Sequence, residues 1–470
     1  MDLNPIVGED TICAIATPAG EGGLAVIRVS GPEAIPIVGR IFHSASHRPL
    51  EQWPAYRSGY GYVYHGKEEL DDVIVTVYRA PQSFTGEDTV EIACHGSLYI
   101  QDQILQSLLI AGCRIAQAGE YSKRAFLNGR IDLSQAEAVA DIISARSSEA
   151  LRLARKQADG SYSAAFNKLA DELIEITALL ELELDFSEED IEFADRSKLI
   201  TLTNTAFEKM EQLLATYSAG NAIKEGVAVA IVGPTNAGKS TLLNALLGRE
   251  RAIVSDTAGT TRDTVEDHLR ISGILFRLID TAGIRATDDK IEGIGIQRSF
   301  SAISQANIIL CVLDTQTISQ LNSCEIQKMM DIAADTPVLL LLNKGDLVEG
   351  ATISELCSLL PCCLRDVPCL RIAAKCNEGV EELRQELVRI AKLPEGSGSV
   401  VITNTRHYQA LLNASEALQR VIGGLENGIS PDFLSPDLRI CINNIEEITG
   451  RRIGSDSILH HIFAHFCIGK

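Results

Sequence analysis

The run Gly233-Pro-Thr-Asn-Ala-Gly-Lys239-Ser240 constrains this chain more than any other segment. It has the spacing G-x-x-x-x-G-K-[ST] and directly follows the apolar stretch Val227-Ala-Val-Ala-Ile-Val232. The helix-forming run Thr241-Leu-Leu-Asn-Ala-Leu-Leu247 comes next. Strand, glycine-bent loop and helix in this order predict an α/β unit with a phosphate-binding loop. The glycines let the N–H groups around Asn236, Ala237, Gly238 and Thr241 turn inward onto phosphate oxygens, and the helix N-terminus adds partial positive charge. Lys239 would neutralise the β- and γ-phosphates, and the Ser240 hydroxyl would ligate Mg²⁺. A nucleoside triphosphate is the expected ligand.

The base is read further along. Asn343-Lys344-Gly345-Asp346 follows the apolar run Val338-Leu-Leu-Leu-Leu342, as a loop at the C-terminal end of a strand would. A carboxylate can accept two parallel hydrogen bonds from guanine N1–H and its exocyclic amine, and adenine offers no such donor pair. Asp346 therefore points to GTP, with Asn343 bracing the loop and the Lys344 stem stacking on the ring. Alone, Asn-Lys-x-Asp describes many surface turns; about a hundred residues after a phosphate loop it carries weight.

Between the two lies Ile274-Leu-Phe-Arg-Leu-Ile-Asp280-Thr281-Ala282-Gly283, a strand ending in Asp-x-x-Gly. Asp280 would hold a Mg²⁺-bound water and the Gly283 N–H would meet the γ-phosphate. Gly259-Thr260-Thr261-Arg262-Asp263 is the expected first switch, with Thr261 the second Mg²⁺ ligand, and Ser255-Asp256-Thr257-Ala258 just before it belong to the expected GTP site. Many small GTPases place a water-orienting glutamine after this glycine, and this chain has Ile284, which cannot hydrogen-bond. The water must be positioned from elsewhere. Glu292 is the candidate; an exposed loop carboxylate is the plainer reading of it.

At 470 residues the chain has length for about two to four domains. No run reaches the roughly eighteen apolar residues of a membrane span, and no basic segment with an apolar one after it opens the sequence, so a cytosolic location is expected. The 12 cysteines are scattered, mostly within apolar elements, which suits reduced thiols. Cys362, Cys363 and Cys369 cluster without a zinc spacing and are expected to pack. A net charge of −21 argues against a broad electropositive face for non-specific nucleic-acid binding. It leaves room for a local patch. Arg152, Arg155 and Lys156 would share a helix face, whose plainer reading is ordinary solvation.

Pattern separates the chain into parts. Residues 1–122 mix alternating segments such as Val73–Tyr78 and Thr89–Cys94 with an amphipathic helix carrying Ile100, Ile104, Leu105, Leu108 and Leu109. This is the pattern of an α+β domain. Residues 123–220 read as helical, residues 221–390 alternate strand and helix and hold every nucleotide motif, and residues 391–470 return to helix. The expected architecture is therefore multidomain: an α+β N-terminal domain, then an all-α domain built from two segments with an α/β P-loop domain inserted between them.

Several further runs carry a resemblance along the whole chain. They are Asp10-Thr-Ile-Cys-Ala-Ile-Ala-Thr-Pro18, Gly22-Gly-Leu-Ala-Val-Ile-Arg28-Val-Ser-Gly31, Ser83-Phe-Thr-Gly-Glu87-Asp88 and Lys123-Arg-Ala-Phe-Leu-Asn-Gly-Arg130. With them go Asp132-Leu-Ser-Gln-Ala-Glu-Ala-Val-Ala-Asp141, Asp185-Phe-Ser-Glu-Glu-Asp190 and Phe466-Cys467-Ile468-Gly469-Lys470. The chain resembles the tRNA modification GTPases of the MnmE (TrmE) family. The resemblance implies an N-terminal domain like tetrahydrofolate-binding domains that also makes a homodimer. It implies a complex, a heterotetramer, with the FAD-containing partner MnmG. That complex adds a carboxymethylaminomethyl or aminomethyl group to C5 of the wobble uridine of certain tRNAs, with one carbon from 5,10-methylenetetrahydrofolate (5-formyltetrahydrofolate being the related ligand).

By position, Arg28, Glu87, Arg130 and Lys470 match the family's folate-contacting residues. Cations suit the glutamyl carboxylates and a carboxylate suits the pterin donors. Many relatives carry lysine where this chain has Arg130. The family also implies G domains that dimerise around K⁺, with Asn236, Ser255, Thr257 and Thr260 forming the cage and Glu292 positioning the water. The guanine-binding loop of the family reads Ser-Ala-Lys; in this chain it is Ala373-Ala374-Lys375, which keeps the Ala374 N–H for guanine O6 but loses a hydroxyl. Cys467, near Lys470, reads either as a catalytic thiolate or as a packed tail thiol. His460, His461 and His465 lack a fourth ligand for zinc and read as lining or packing residues. Two functions stay open: a GTP-hydrolysing subunit in tRNA modification, or a regulatory GTPase switch of the ribosome-assembly kind.

Overall fold

Residues 10–186, 196–248, 266–280, 302–318, 323–334, 336–348, 352–391, 400–452, 459, 462–464, 466 and 469 are described by a computed structural model of the chain. They fall into two compact units, one of Met1–Ile143, Gln157–Thr203 and Ala417–Lys470, the other of Ser144–Lys156 and Asn204–Glu416.

In the first unit β1 (Ile12–Ile15), β2 (Gly22–Ser30), β3 (Phe42–Ser44), β4 (Arg57–His65), β5 (Glu68–Tyr78), β6 (Thr89–Gly96) and β7 (Arg114–Ile115) form one sheet in the order β3-β4-β5-β6-β2-β1-β7. Alternation decides which face is covered. Val73, Val75 and Val77 of β5 are buried, whereas Asp72 before them and Ile74 between them are exposed. The buried face packs on the helices Ala34–Ile41 and Leu98–Ile110 through Ile35, Val38, Ile104 and Leu108, giving the α+β layer expected from the alternation.

The helical part of this unit joins segments from both ends of the chain. In the helix Ser161–Phe186, Phe166, Leu169, Ala170, Leu173, Ile176 and Leu180 recur at three- and four-residue steps and are buried. The helix Pro431–Thr449 buries Leu434, Leu438, Cys441, Ile445 and Ile448. The two helices pack together, tied at their ends by Thr449 Oγ1 donating to Asn167 Oδ1 at 3.3 Å and Arg451 to Asp171 at 3.0 Å.

The second unit holds β8 (Val227–Val232), β9 (Glu266–Ile271), β10 (Ile274–Asp280), β11 (Ile308–Asp314), β12 (Val338–Asn343) and β13 (Cys369–Arg371) in the order β13-β12-β11-β8-β10-β9. All neighbours are parallel except β9 and β10. Both faces are covered, which is why β8 is apolar throughout. Val227, Val229 and Ile231 join the core beneath the helices Lys239–Leu247 and Val380–Ala391, while Ala230 and Val232 join the core of the opposite face. The β11–β12 register sets Asp314 opposite Asn343, so the loops that leave β8, β11 and β12 emerge along one edge of the sheet.

Gly233 makes the turn out of β8 at φ 143°, and a Cβ there would meet the Val312 carbonyl oxygen of β11. A backbone carbonyl in a central strand cannot retreat. Gly233→Ala should therefore destabilise this unit by roughly 2–4 kcal/mol, read as a lowered urea midpoint. An unchanged midpoint would mean that the loop leaves β8 by another path.

Candidate functional site

The phosphate loop follows β8 without a break. Asn236 adopts φ 64°, a conformation asparagine tolerates better than most residues, and its side chain is exposed at the loop tip. Gly238 caps the helix Lys239–Leu247 at φ 95°. Lys239 Nζ donates to the Gly233 and Pro234 carbonyls at 2.7 and 2.8 Å, which keeps the ammonium beside the loop. Ser240 and Thr241 stand exposed on the first turn of that helix, where a hydroxyl can reach a ligand.

Asn343 ties this loop to the loops that follow β12 and β13. Its Nδ2 donates to the Ala237 carbonyl at 2.8 Å and its Oδ1 accepts the Ala374 N–H at 3.1 Å. The side chain is 3% exposed, so both bonds are shielded from water. Gly238 makes the approach possible, because a Cβ there would meet Asn343 Nδ2. Lys344 takes φ 61°, with its Nζ 2.6 Å from Asp314 Oδ2. Burial alone would raise the Asp314 carboxyl, but the Lys344 ammonium and the Gln316 N–H outweigh it and hold it below the usual carboxylate range. Arg371 closes the far side by donating to the Gly345 and Val348 carbonyls at 2.6 and 2.9 Å. Asp346 is exposed in the same loop, open to a ligand.

The loop Ala373-Ala374-Lys375 holds its shape without the hydroxyl it lacks. Ala373 donates its N–H to the Glu378 carbonyl at 3.0 Å and accepts the Glu378 N–H at 3.2 Å. Lys375 is exposed beside it.

A second cluster lies in the first unit. Glu87 is buried; its Oε2 accepts from Ser30 Oγ at 2.8 Å and its Oε1 from Arg124 at 3.1 Å. Arg124, with 5% of its side chain exposed, also meets Asp10 at 2.8 Å and Glu120 at 3.0 Å. Burial alone would raise Glu120, but Arg114, the Gln117 N–H and Arg124 outweigh it and lower its pKa. Arg28 is held by Glu91 at 2.7 Å, donates to the Gly469 carbonyl at 3.1 Å, and lies over the Tyr121 ring 5.7 Å from its centroid. Arg130 is exposed, and its stem passes over Gly86, where a Cβ would sit 3.1 Å from Arg130 Cγ. Arg28, Glu87 and Arg130 thus share one unit, with Arg28 reaching the chain's last residues.

A family model described as "MnmE helical domain" matches residues 133–467, and one described as "GTP-binding protein TrmE N-terminus" matches residues 11–130. A relative from Bacteroides fragilis, called tRNA modification GTPase MnmE, is 49% identical over 99% of this chain and 100% of its own length. Relatives of the same name from Porphyromonas gingivalis and Flavobacterium johnsoniae are 48% and 45% identical, covering 98% and 99% of this chain and 98% and 100% of theirs. The chain belongs to the MnmE family. Among solved structures, the G domain of the T. maritima FeoB iron transporter is 24% identical over 35% of this chain and 99% of that chain, with a TM-score of 0.26.

The MnmE-type motifs are brought together where the structure describes them: Asn236 to Thr241, Asn343 to Asp346, and Ala373 to Lys375. Asp280 ends β10 in register with Ile231, its side chain lying outside the described residues. Outside them also lie Ser255, Asp256, Thr257, Ala258, Gly259, Thr260, Thr261, Thr281, Ala282, Gly283, Glu292, Cys467 and Lys470, with His460, His461 and His465. The sequence reading missed Asp314, Thr315, Arg371, Arg124 and Glu91. Asp314 had a signal, a lone charge closing an otherwise apolar strand. Of the clustered cysteines, Cys363 and Cys369 pack as expected but Cys362 is exposed, and Cys369 Sγ pairs with the distant Cys357 Sγ at 3.2 Å. Arg152 and Arg155 are exposed on their helix, Arg152 paired with Glu149.

Arg124 is the buried cation that meets three carboxylates; Asp10 and Glu120 are also held by Arg114, whereas Glu87 has Arg124. Arg124→Met should cost about 3–5 kcal/mol in chemical denaturation, because Glu87 is then left buried without its partner. Arg124→Met combined with Glu87→Gln should recover a measurable share; equal losses in the two variants would show that the pair is not what matters.

Proposed function

We infer that this protein is a GTPase that acts in tRNA modification. The observation that carries the reading is a phosphate loop and guanine loops joined through Asn343 in a chain 43–49% identical, over 98–99% of its length, to proteins named for that activity. Lys239 and the loop amides bind the β- and γ-phosphates, and Asp346 with the Ala374 N–H selects guanine.

Ser240 and Thr261 would hold Mg²⁺, and Asp280 would orient its bound water. Ser240 fits, being an exposed hydroxyl on the first turn of the helix. The exposed Asn236 side chain suits a share in a K⁺ cage that Ser255, Thr257 and Thr260 would complete. Such ions supply positive charge where negative charge develops between the phosphates during transfer. Glu292 positions the attacking water, since Ile284 cannot.

The substrate side is the wobble uridine of tRNA, modified at C5 in a complex with MnmG, which carries the FAD. Arg28, Arg130 and Lys470 would bind the glutamyl carboxylates of a tetrahydrofolate, and Glu87 the pterin donors. Glu87 fits that role, because an ionised carboxylate keeps acceptor sites beyond those taken by Arg124 and Ser30. The folate supplies one carbon. Cys467 is the proposed thiol of the modification chemistry. The proposed domain limits are 1–122, 123–220, 221–390 and 391–470. The proposed assembly is a homodimer joined by MnmG in the cytoplasm. No helix among the described residues is long and apolar enough to cross a membrane.

Nucleoside mass spectrometry of tRNA tests the reading. Deleting the gene should remove the C5 wobble modification, the wild-type chain should restore it, and Lys239→Ala should not. Full modification in the deletion strain would favour a regulatory switch. Potassium has its own test: replacing K⁺ by Na⁺ should slow GTP hydrolysis roughly tenfold or more, and Asn236→Ala should abolish the difference. Equal wild-type rates in the two salts would remove K⁺ from the mechanism.

A further inference from the structure

Asp314 closes β11, whose other six residues are buried and apolar, and it is the one charge in that strand. Its Oδ2 accepts from Lys344 Nζ at 2.6 Å and its Oδ1 from the Gln316 N–H at 2.9 Å. The next residue, Thr315, donates its hydroxyl to the Lys344 carbonyl at 3.1 Å and its N–H to the Asn343 carbonyl at 3.1 Å. One turn therefore grips Lys344 at both ends, backbone and ammonium. A free lysine side chain samples many rotamers, whereas one bound at both ends keeps a single direction along its stem.

Lys344 lies between Asn343, which fixes the loop to the phosphate loop, and Asp346, which stands exposed at the tip. On the guanine-loop reading, its stem is the apolar surface offered to the purine. We propose that Asp314 is a positioning residue for guanine recognition, holding the Lys344 ammonium so that the lysine stem stays against the purine of a guanine nucleotide. This rests on the reading of Asn343 to Asp346 as the guanine loop. Asp314 acts through Lys344. With 32% of the lysine and 11% of the aspartate side chain exposed, the pair is partly screened, so its loss weakens binding without abolishing it.

The test uses the full-length chain and fluorescent mant-GDP and mant-XDP. Asp314→Asn keeps an acceptor for the Gln316 N–H and removes the charge facing Lys344. It should weaken mant-GDP binding about five- to tenfold, through faster release. In a Lys344→Met background the same change should cost less than about twofold, because the partner is already gone. Asp314→Glu should keep most of the affinity. Wild-type affinity for Asp314→Asn, or an equal loss in the Lys344→Met background, would overturn the proposal. If Asp314→Asn melts below the assay temperature, Asp314→Glu measured with and without Lys344→Met reads the same coupling, and additivity there overturns it too. Asp346→Asn separates the two levels, since an amide in place of the carboxylate should exchange guanine preference for xanthine, which carries a carbonyl at C2. No exchange would sink the guanine-loop reading itself. Exchange together with additive Asp314 effects would sink only the role of Asp314.

Discussion

The nucleotide site depends on the side-chain amide of Asn343. It spans from the Ala237 carbonyl in the phosphate loop to the Ala374 N–H in the loop after β13, at 2.8 and 3.1 Å, and is almost wholly buried. Asparagine offers one donor and one acceptor side by side, so one residue can satisfy an orphan carbonyl and an orphan amide on two different loops. Removing it would strand both groups away from water, at about 1–3 kcal/mol each. The glycine at 238 leaves space for the amide to enter.

The surrounding sheet delivers these loops to one edge. Strands β8, β11 and β12 run parallel, and their register sets Asp314 beside Asn343. Each loop is then held by polar groups of its neighbours: Lys344 by Asp314 and Thr315, Gly345 by Arg371, Ala373 by Glu378. The first unit follows the same logic with a charge in place of an amide. Arg124 gathers Glu87, Asp10 and Glu120 from three separate segments, and Glu91 fixes Arg28 under the Tyr121 hydroxyl's bond to the Arg28 carbonyl.

Local pattern made much of this legible. The strand Val227–Val232 was read at the ends it has in the structure, the strand Ile274–Asp280 begins where its run was read to begin, and the helix after the phosphate loop begins only two residues earlier than its apolar run suggested. The candidate loops were picked out by glycine, lysine, asparagine and aspartate at fixed spacing, and the structure ties the described ones together through Asn343. What stayed hidden depends on register and on long-range pairing. Asp314 meets Lys344 only because β11 lies beside β12, 30 residues away in sequence. Arg124 sits inside a quoted motif, and Glu120 is its i,i+4 neighbour on the same helix, but Asp10 and Glu87 come from positions that no spacing rule connects to it. Cys369 was grouped with its sequence neighbours, while the thiol it touches belongs to the helix Ile353–Ser358.

Amide hydrogen exchange at Ala374 tests the dependence on Asn343 most directly. In the nucleotide-free protein the Ala374 N–H should exchange slowly, protected by the Asn343 oxygen, and Asn343→Ala should release it to the rate of an exposed loop while leaving the amides of β12 protected. Fast exchange of Ala374 in the wild-type protein, or protection that survives in Asn343→Ala, would show that the loops are held together by something else.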